Sequence, residues 1–170
     1  MKKIFVLLLL PLLSFSFIAD WQPVKIGDRV TVKFPKEPKF EKISDKLKWA
    51  SSFDANSICE ATLTDLREYG IKGPDDIAKN FSSQEQMQGF GIGLLSKIPG
   101  GKAISQKNTL FNGHRSYEYI IEVKKDGVID RYIYIKSLFV GTDLISFHFI
   151  QKEKERSKNN QRFFSSIKVD

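Results

Sequence analysis

Cysteine is almost missing from this chain: Cys59 is the only one in 170 residues. An internal disulfide is therefore excluded, and so is a cysteine-rich metal cluster. Histidine is nearly as scarce, with His114 and His148 alone, and neither has other ligand-type residues at short spacing. No G-x-S-x-G elbow is present, and Gly100-Gly101-Lys102 is followed by Ala103 where a phosphate loop needs a hydroxyl. Internal repeats and low-complexity stretches are also lacking. Only one long apolar run exists, Ile4 to Leu13, and it is too short for a lasting membrane span.

That run belongs to an informative pattern. Met1-Lys2-Lys3 is basic, the apolar core follows, and Ser14, Ser16 and Ala19 are small residues ahead of the polar Asp20-Trp21-Gln22. This is the order of a secretory signal peptide, expected over residues 1–19. A cut after Ala19 is the first choice, although Phe17 is bulky three positions upstream and Ser14 and Ser16 offer another site. No cysteine follows at once, so a lipid anchor is not indicated. The expected location is exported, periplasmic or secreted. Removal of Lys2 and Lys3 lowers the formal charge from +7 to +5. The remaining roughly 150 residues, 20–170, suit a single domain. Lys and Arg alternate with Asp and Glu, which reads as a mildly basic solvated surface; the alternative is a basic patch that meets an anionic partner. Export argues against nucleic acid. Fourteen Phe and five Tyr supply ample core material.

Most of the chain alternates with the period of a strand. Arg29 to Phe34 is one such segment, ended by Pro35 and Pro38 because proline cannot donate to a ladder. A charged connection leads to strands at Leu47 to Phe53 and Ile58 to Leu66, joined at Asp54-Ala55-Asn56. Gly73-Pro74-Asp75-Asp76 then starts a helix, expected from about Asp75 to about Gln88. Strands follow at Lys102 to Phe111, Ser116 to Lys124, Ile129 to Val140 and Leu144 to Ile150. Asp126-Gly127 marks a two-residue hairpin. A simple register there sets Tyr119 opposite Tyr134, Ile121 opposite Tyr132 and Glu122 opposite Arg131. Tyr117, Tyr119, Tyr132 and Tyr134 then share one face. A polar helix from about Glu153 to Phe164 ends the chain, anchored by Phe163, Phe164 and Ile167. The fold class is α+β: an antiparallel β-sheet meander flanked by helices.

Three short motifs give this reading a relative. Phe34-Pro35-Lys36-Glu37-Pro38 follows the first strand, Gly113-x-x-x-Tyr117 precedes a long one, and Phe163-Phe164-Ser165-Ser166-Ile167 closes the chain. Together they resemble the PsbP-like exported domains. The resemblance implies an α/β/α sandwich and an accessory or binding role more often than an enzymatic one. It transfers no catalytic residues, because the matching positions are turns and core anchors.

The candidate binding residues are Phe90, Ile92, Leu94 and Leu95 with Tyr117, Tyr119, Tyr132 and Tyr134. Gly89, Gly91 and Gly93 interrupt the first group, so one reading is a helix end followed by a flexible apolar loop. The other is a mobile lip over a pocket, or a contact for a membrane or partner. The tyrosines suit a recognition groove, or else pack beneath the Asp75 helix. Cys59 should face inward as an inert thiol; a reactive thiol paired with His148 or His114 is the rival. His114 reads as a surface or capping residue, and His148 as a strand residue facing opposite to Phe147 and Phe149. No catalytic, metal or cofactor site is expected. The leading function is an exported, non-enzymatic accessory or binding domain for an envelope partner, with possible peripheral membrane contact. A carrier for a small apolar ligand or lipid is the second reading, and a cysteine hydrolase a distant third.

Overall fold

The computed structural model describes residues 21–170. The expected signal peptide lies outside the described residues. Two antiparallel sheets are built from ten strands: β1 (Gln22–Ile26), β2 (Val30–Phe34), β3 (Lys39–Ile43), β4 (Lys46–Asp54), β5 (Ser57–Asp65), β6 (Gly101–Phe111), β7 (His114–Lys125), β8 (Val128–Val140), β9 (Asp143–Gln151) and β10 (Lys168–Val169). The large sheet has the order β3-β4-β5-β9-β8-β7-β6, and the small one the order β1-β2-β10. Helices α1 (Pro74–Asn80) and α2 (Gln84–Leu95) lie between β5 and β6 in the chain, and α3 (Lys158–Ser165) precedes β10. The α+β class with an antiparallel sheet agrees with the sequence.

Each face of the large sheet has its own core. On one face Cys59, Ala61, Tyr132, Tyr134, Phe147 and Phe149 pack against Ile26, Val30, Val32 and Phe34 of the small sheet and Phe163 of α3. Phe34 and Phe163 meet edge to face with centroids 5.7 Å apart. Beyond the short β10 the β2 backbone still needs an acceptor. The Lys33 N–H finds one in Ser166 Oγ at 2.9 Å, which gives the serine after the terminal helix a structural role. On the other face Tyr117, Tyr119, Ile121, Ile133 and Ile135 pack beneath α1 and α2 with Met87 and Phe139.

The hairpin register differs from the simple expectation. Lys124 pairs with Ile129 but Val123 pairs with Arg131, so Asp130 is an extra residue. This bulge moves every later β8 side chain to the other face. Tyr119 therefore lies opposite Ile135, Ile121 opposite Ile133, and Glu122 opposite Tyr132. The four tyrosines do not share a face: Tyr117 and Tyr119 enter the helix-side core, Tyr132 and Tyr134 the other. Glu122 does not pair with Arg131 either. It contacts Lys124, while Arg131 pairs with Asp130. Two segments outside the expected strands, one of them the charged connection, are strands as well. Gln22–Ile26 pairs with β2, and the charged Lys39–Ile43 forms an exposed edge.

The expected single helix is two. Helix α1 stops at Asn80, and Ser83 opens α2 with a capping box: its hydroxyl accepts from Gln86 N, while Gln86 Oε1 accepts from Ser83 N. Reciprocal caps of this kind make a new start competitive with continuation. The terminal helix begins at Lys158 rather than near Glu153, under a Ser157 cap.

Helix α2 then runs through all three glycines expected to form a loop. Gly91 has a specific reason to be there. A Cβ at that position would stand 2.9 Å from Tyr119 Cε1, whereas Gly89 and Gly93 have nothing within 4 Å. Of the three glycines, Gly91 is thus the one that α2 seats against a β7 side chain. Gly89→Ala should stabilise the protein by ~0.5–1 kcal/mol through helix propensity. Gly91→Ala should instead destabilise it by ~1 kcal/mol, because overpacking outweighs the same gain. Chemical denaturation of the two variants checks the opposite signs.

Candidate functional site

Helix α2 covers only part of the sheet face it packs on. It rests over β6, β7 and β8, with Phe90 against Tyr117, Tyr119 and Phe139 at centroid distances of 5.5, 6.1 and 6.4 Å. Two hydroxyls hold the helical segment there, each at 2.6 Å: Tyr119 Oη donates to Met87 O in α2, and Tyr117 Oη donates to Phe81 O at the end of α1. A tyrosine buried this deeply needs such an acceptor. Across β9, β5 and β4 the same face has no α-helix over it among the described residues. The ladder sets Lys46, Thr64 and Leu144 in one cross-strand row, Lys48, Thr62 and Ser146 in the next, and Glu60 beside His148 in the third.

The flank of α2 and this open half enclose a groove of about 630 Å³. Phe90, Leu94 and Ile98 form one wall; Ile133, Ile135, Leu144 and Ile150 are the apolar part of the floor. A second hollow of about 330 Å³ adjoins it, bounded by Leu66, Tyr69, Ile71 and Phe81. Lys46, Thr64, Phe90, Lys97 and Leu144 line both.

The charges on the floor are mostly committed to one another. Glu60 Oε1 accepts from Lys48 Nζ at 2.8 Å, and its Oε2 lies 3.7 Å from His148 Nδ1. Burial pushes the Glu60 carboxyl up, but hydrogen bonds and charge from His148 and Lys48 outweigh it and hold the group at about 2. His148 Nε2 is buried and has no hydrogen-bond partner among the described residues. Ser146 Oγ is satisfied by Ser137 Oγ at 2.8 Å. Lys46 is different: burial, and then the adjacent Lys97 ammonium, push its pKa down.

The structure distributes the residues singled out from sequence unequally. Phe90 and Leu94 line the groove. Leu95 packs into the helix-side core, and Ile92 is 70% exposed, outside both hollows. The lip expected at residues 90–95 is a helical wall rather than a loop. All four tyrosines are buried, at 6% exposure or less, so none offers a free surface. Their hydroxyls meet Phe81 O, Met87 O, Glu122 Oε2 and Lys154 O. Sequence reasoning missed Lys46, Glu60 and Lys97. The alternation of Lys46 and Lys48 along β4 was the available signal, but charged residues at this spacing usually mark a solvated face.

Cys59 is fully buried and opposite Phe149, in the core away from the groove. His148 faces the other side, so strand alternation separates this thiol from that imidazole. Burial first, and the Glu60 charge second, push the thiol up to about 12. His114 borders a separate hollow of about 390 Å³ with Arg29 and Arg115, near the start of α1. Among the described residues no three His, Cys, Asp or Glu side chains gather as metal ligands. No helix among them is long and apolar enough to cross a membrane.

Structural comparison matches the solution structure of cyanobacterial PsbP (CyanoP) from Synechocystis sp. PCC 6803 with a TM-score of 0.59 over 90% of this chain and 94% of that one, at 13% identity. The chain has a PsbP-like fold. A crystal structure of the Saccharomyces cerevisiae Ran-binding protein Mog1p aligns over 89% of this chain and 96% of that one, with a TM-score of 0.49 and 10% identity. At these identities the likeness is one of fold. No family model and no curated protein sequence matches the chain. The PsbP-like motifs occupy structural positions: Phe34 and Phe163 are core partners, Gly113 turns with φ of 81°, and Tyr117 anchors α1.

Two outcomes follow from the buried groups. Because the Glu60 carboxyl is depressed from an ordinary 4.5 to about 2, its contribution to stability is complete above pH 4.5 and is lost as pH falls toward 2. Glu60→Gln should flatten the fall in stability across that window relative to the parent, as measured by urea unfolding at pH 5, 4 and 3. Cys59 should react with Ellman's reagent only once denaturant is added, and rapid native labelling would contradict its placement.

Proposed function

We propose that this protein is an exported, non-enzymatic binding domain that takes its ligand or partner in the groove beside α2. The N-terminal residue pattern supports export. The observation that carries the binding reading is the uncovered half of the helix-side sheet face, where an apolar wall meets a floor of paired charges. Pockets of this kind, largely apolar with a few placed polar groups, are the usual form of small-molecule sites. The groove's volume falls in the range of such pockets. An accessory role toward an envelope protein fits the same surface.

The hydrolase reading loses its nucleophile, since Cys59 lies in the opposite core. The carrier reading gains from the groove, because Phe90, Leu94 and Ile98 face it with the isoleucines of β8 and β9.

A fragment screen followed by amide chemical-shift changes tests the site without a known ligand. Shifts should cluster on Phe90, Leu94, Lys97 and the facing residues of β5 and β9. Leu94→Asp should abolish those shifts while the spectrum keeps its native dispersion. Hits scattered elsewhere, or none, would remove the groove as the binding site.

A further inference from the structure

The groove contains one electrostatic feature that its own residues do not resolve. Lys46 on β4 and Lys97 just past α2 line both hollows, where the apolar walls converge. Neither ammonium makes an ion pair among the described residues. Asp45 acts on both through space but lies in ion-pair contact with neither. Asp45 accepts a hydrogen bond from the Tyr69 hydroxyl, and Glu60 holds Lys48 and His148. Two like charges are therefore brought together at the edge of an apolar trough, where Asp45 offsets their repulsion only in part: at Lys46 the Lys97 ammonium outweighs it.

We propose, building on the groove as the binding site, that its ligand is a single-chain aliphatic carboxylate whose head sits between Lys46 and Lys97 and whose chain lies along Phe90, Leu94 and Ile98. Charge complementarity selects the head: an anion between the lysines replaces their repulsion with two attractions. A singly charged group fits better than a phosphate monoester. Only two cationic side chains are present, and Lys97 follows the C-terminus of α2, whose dipole opposes further negative charge. Lysine also suits the role as a flexible point charge at a rim, with no planar fork to impose geometry. The apolar wall and floor account for the chain, since burying each methylene is favourable in proportion to its area.

The test uses sodium decanoate, 1-decanol and decyltrimethylammonium at submicellar concentration, followed by amide shifts on the full mature chain. Decanoate should bind saturably, with shifts at Lys46, Phe90, Leu94 and Lys97. The alcohol should bind about tenfold more weakly or worse, and the cation not at all. Lys46→Gln with Lys97→Gln should reduce decanoate to the affinity of the alcohol. Equal binding of decanoate and 1-decanol would overturn the proposal, because the groove would then select apolarity alone; this comparison needs no variant. Unchanged affinity in the double variant, or decanoate shifts elsewhere, would also overturn it. Absence of decanoate binding with fragments still in the groove removes this inference only; absence of both removes the groove reading as well.

Discussion

The position of α2 on the sheet depends on one contact, the seat of Gly91 against Tyr119. The glycine lets the helix backbone descend onto the ring, and the same tyrosine's hydroxyl then reaches Met87 O at 2.6 Å. Tyr117 makes the matching bond to Phe81 O where the two helices break. The helix is thereby pinned over β6 and β7 rather than centred on a seven-stranded sheet. A twelve-residue helix is about 18 Å long and 10–12 Å wide, so it cannot cover seven strands spaced about 4.8 Å apart. The groove is the remainder of that mismatch, and its location is set by which strands carry the tyrosines.

A half-covered sheet face has to satisfy its polar groups without full access to water. Ser146 bonds Ser137 across the β8–β9 pair, and Glu60 is shared between Lys48 and His148. Leaving one member of such a set unpaired costs more than the set gains, because a partly buried charge then lacks both water and partner. The depressed Glu60 carboxyl is the measure of how firmly this set is closed. Lys46 and Lys97 stand outside it, at the rim, where residual hydration keeps their charges tolerable. The floor therefore divides into a structural ion set and, one row away, a cationic rim that Asp45 offsets only in part.

How far the sequence revealed this arrangement varied with the range of the forces involved. Alternation located β2, β5, β7, β8 and β9, because each buries at least one face and the pattern is local. Asp126-Gly127 marked its hairpin for the same reason, and both residues do adopt positive φ. The bulge at Asp130 was not legible, since a single extra residue leaves the local alternation looking regular on either side. Its consequence was large: it sent Tyr132 and Tyr134 to the opposite core from Tyr117 and Tyr119. The glycine segment misled for a different reason. Three glycines lower intrinsic helix propensity by about 1 kcal/mol each relative to alanine, but tertiary packing against Tyr119 and the Ser83–Gln86 box override that preference. Phe90 and Leu94 were legible as apolar residues needing a partner, whereas Lys46, Glu60 and Lys97 meet only through strand pairing and helix docking.

Strand alternation also constrains what chemistry this face can host. Cys59 and Glu60 are consecutive, as are Phe147, His148 and Phe149, so the sheet sends the thiol into one core and the imidazole and carboxylate to the other side. The imidazole therefore stands 3.7 Å from the Glu60 carboxylate without an adjacent thiol. With Ser146 bonded to Ser137 and Glu60 held by two partners, those side chains on the floor have little capacity left for a ligand. Recognition in the proposed groove would then rest on what is still unspent: apolar area along α2 and β8–β9, the unpartnered His148 Nε2 on the floor, and the two lysines at the edge. A site of that composition would discriminate mainly by length of chain and sign of charge, since among its lining groups His148 Nε2 is the one buried atom left with a directional hydrogen bond to make.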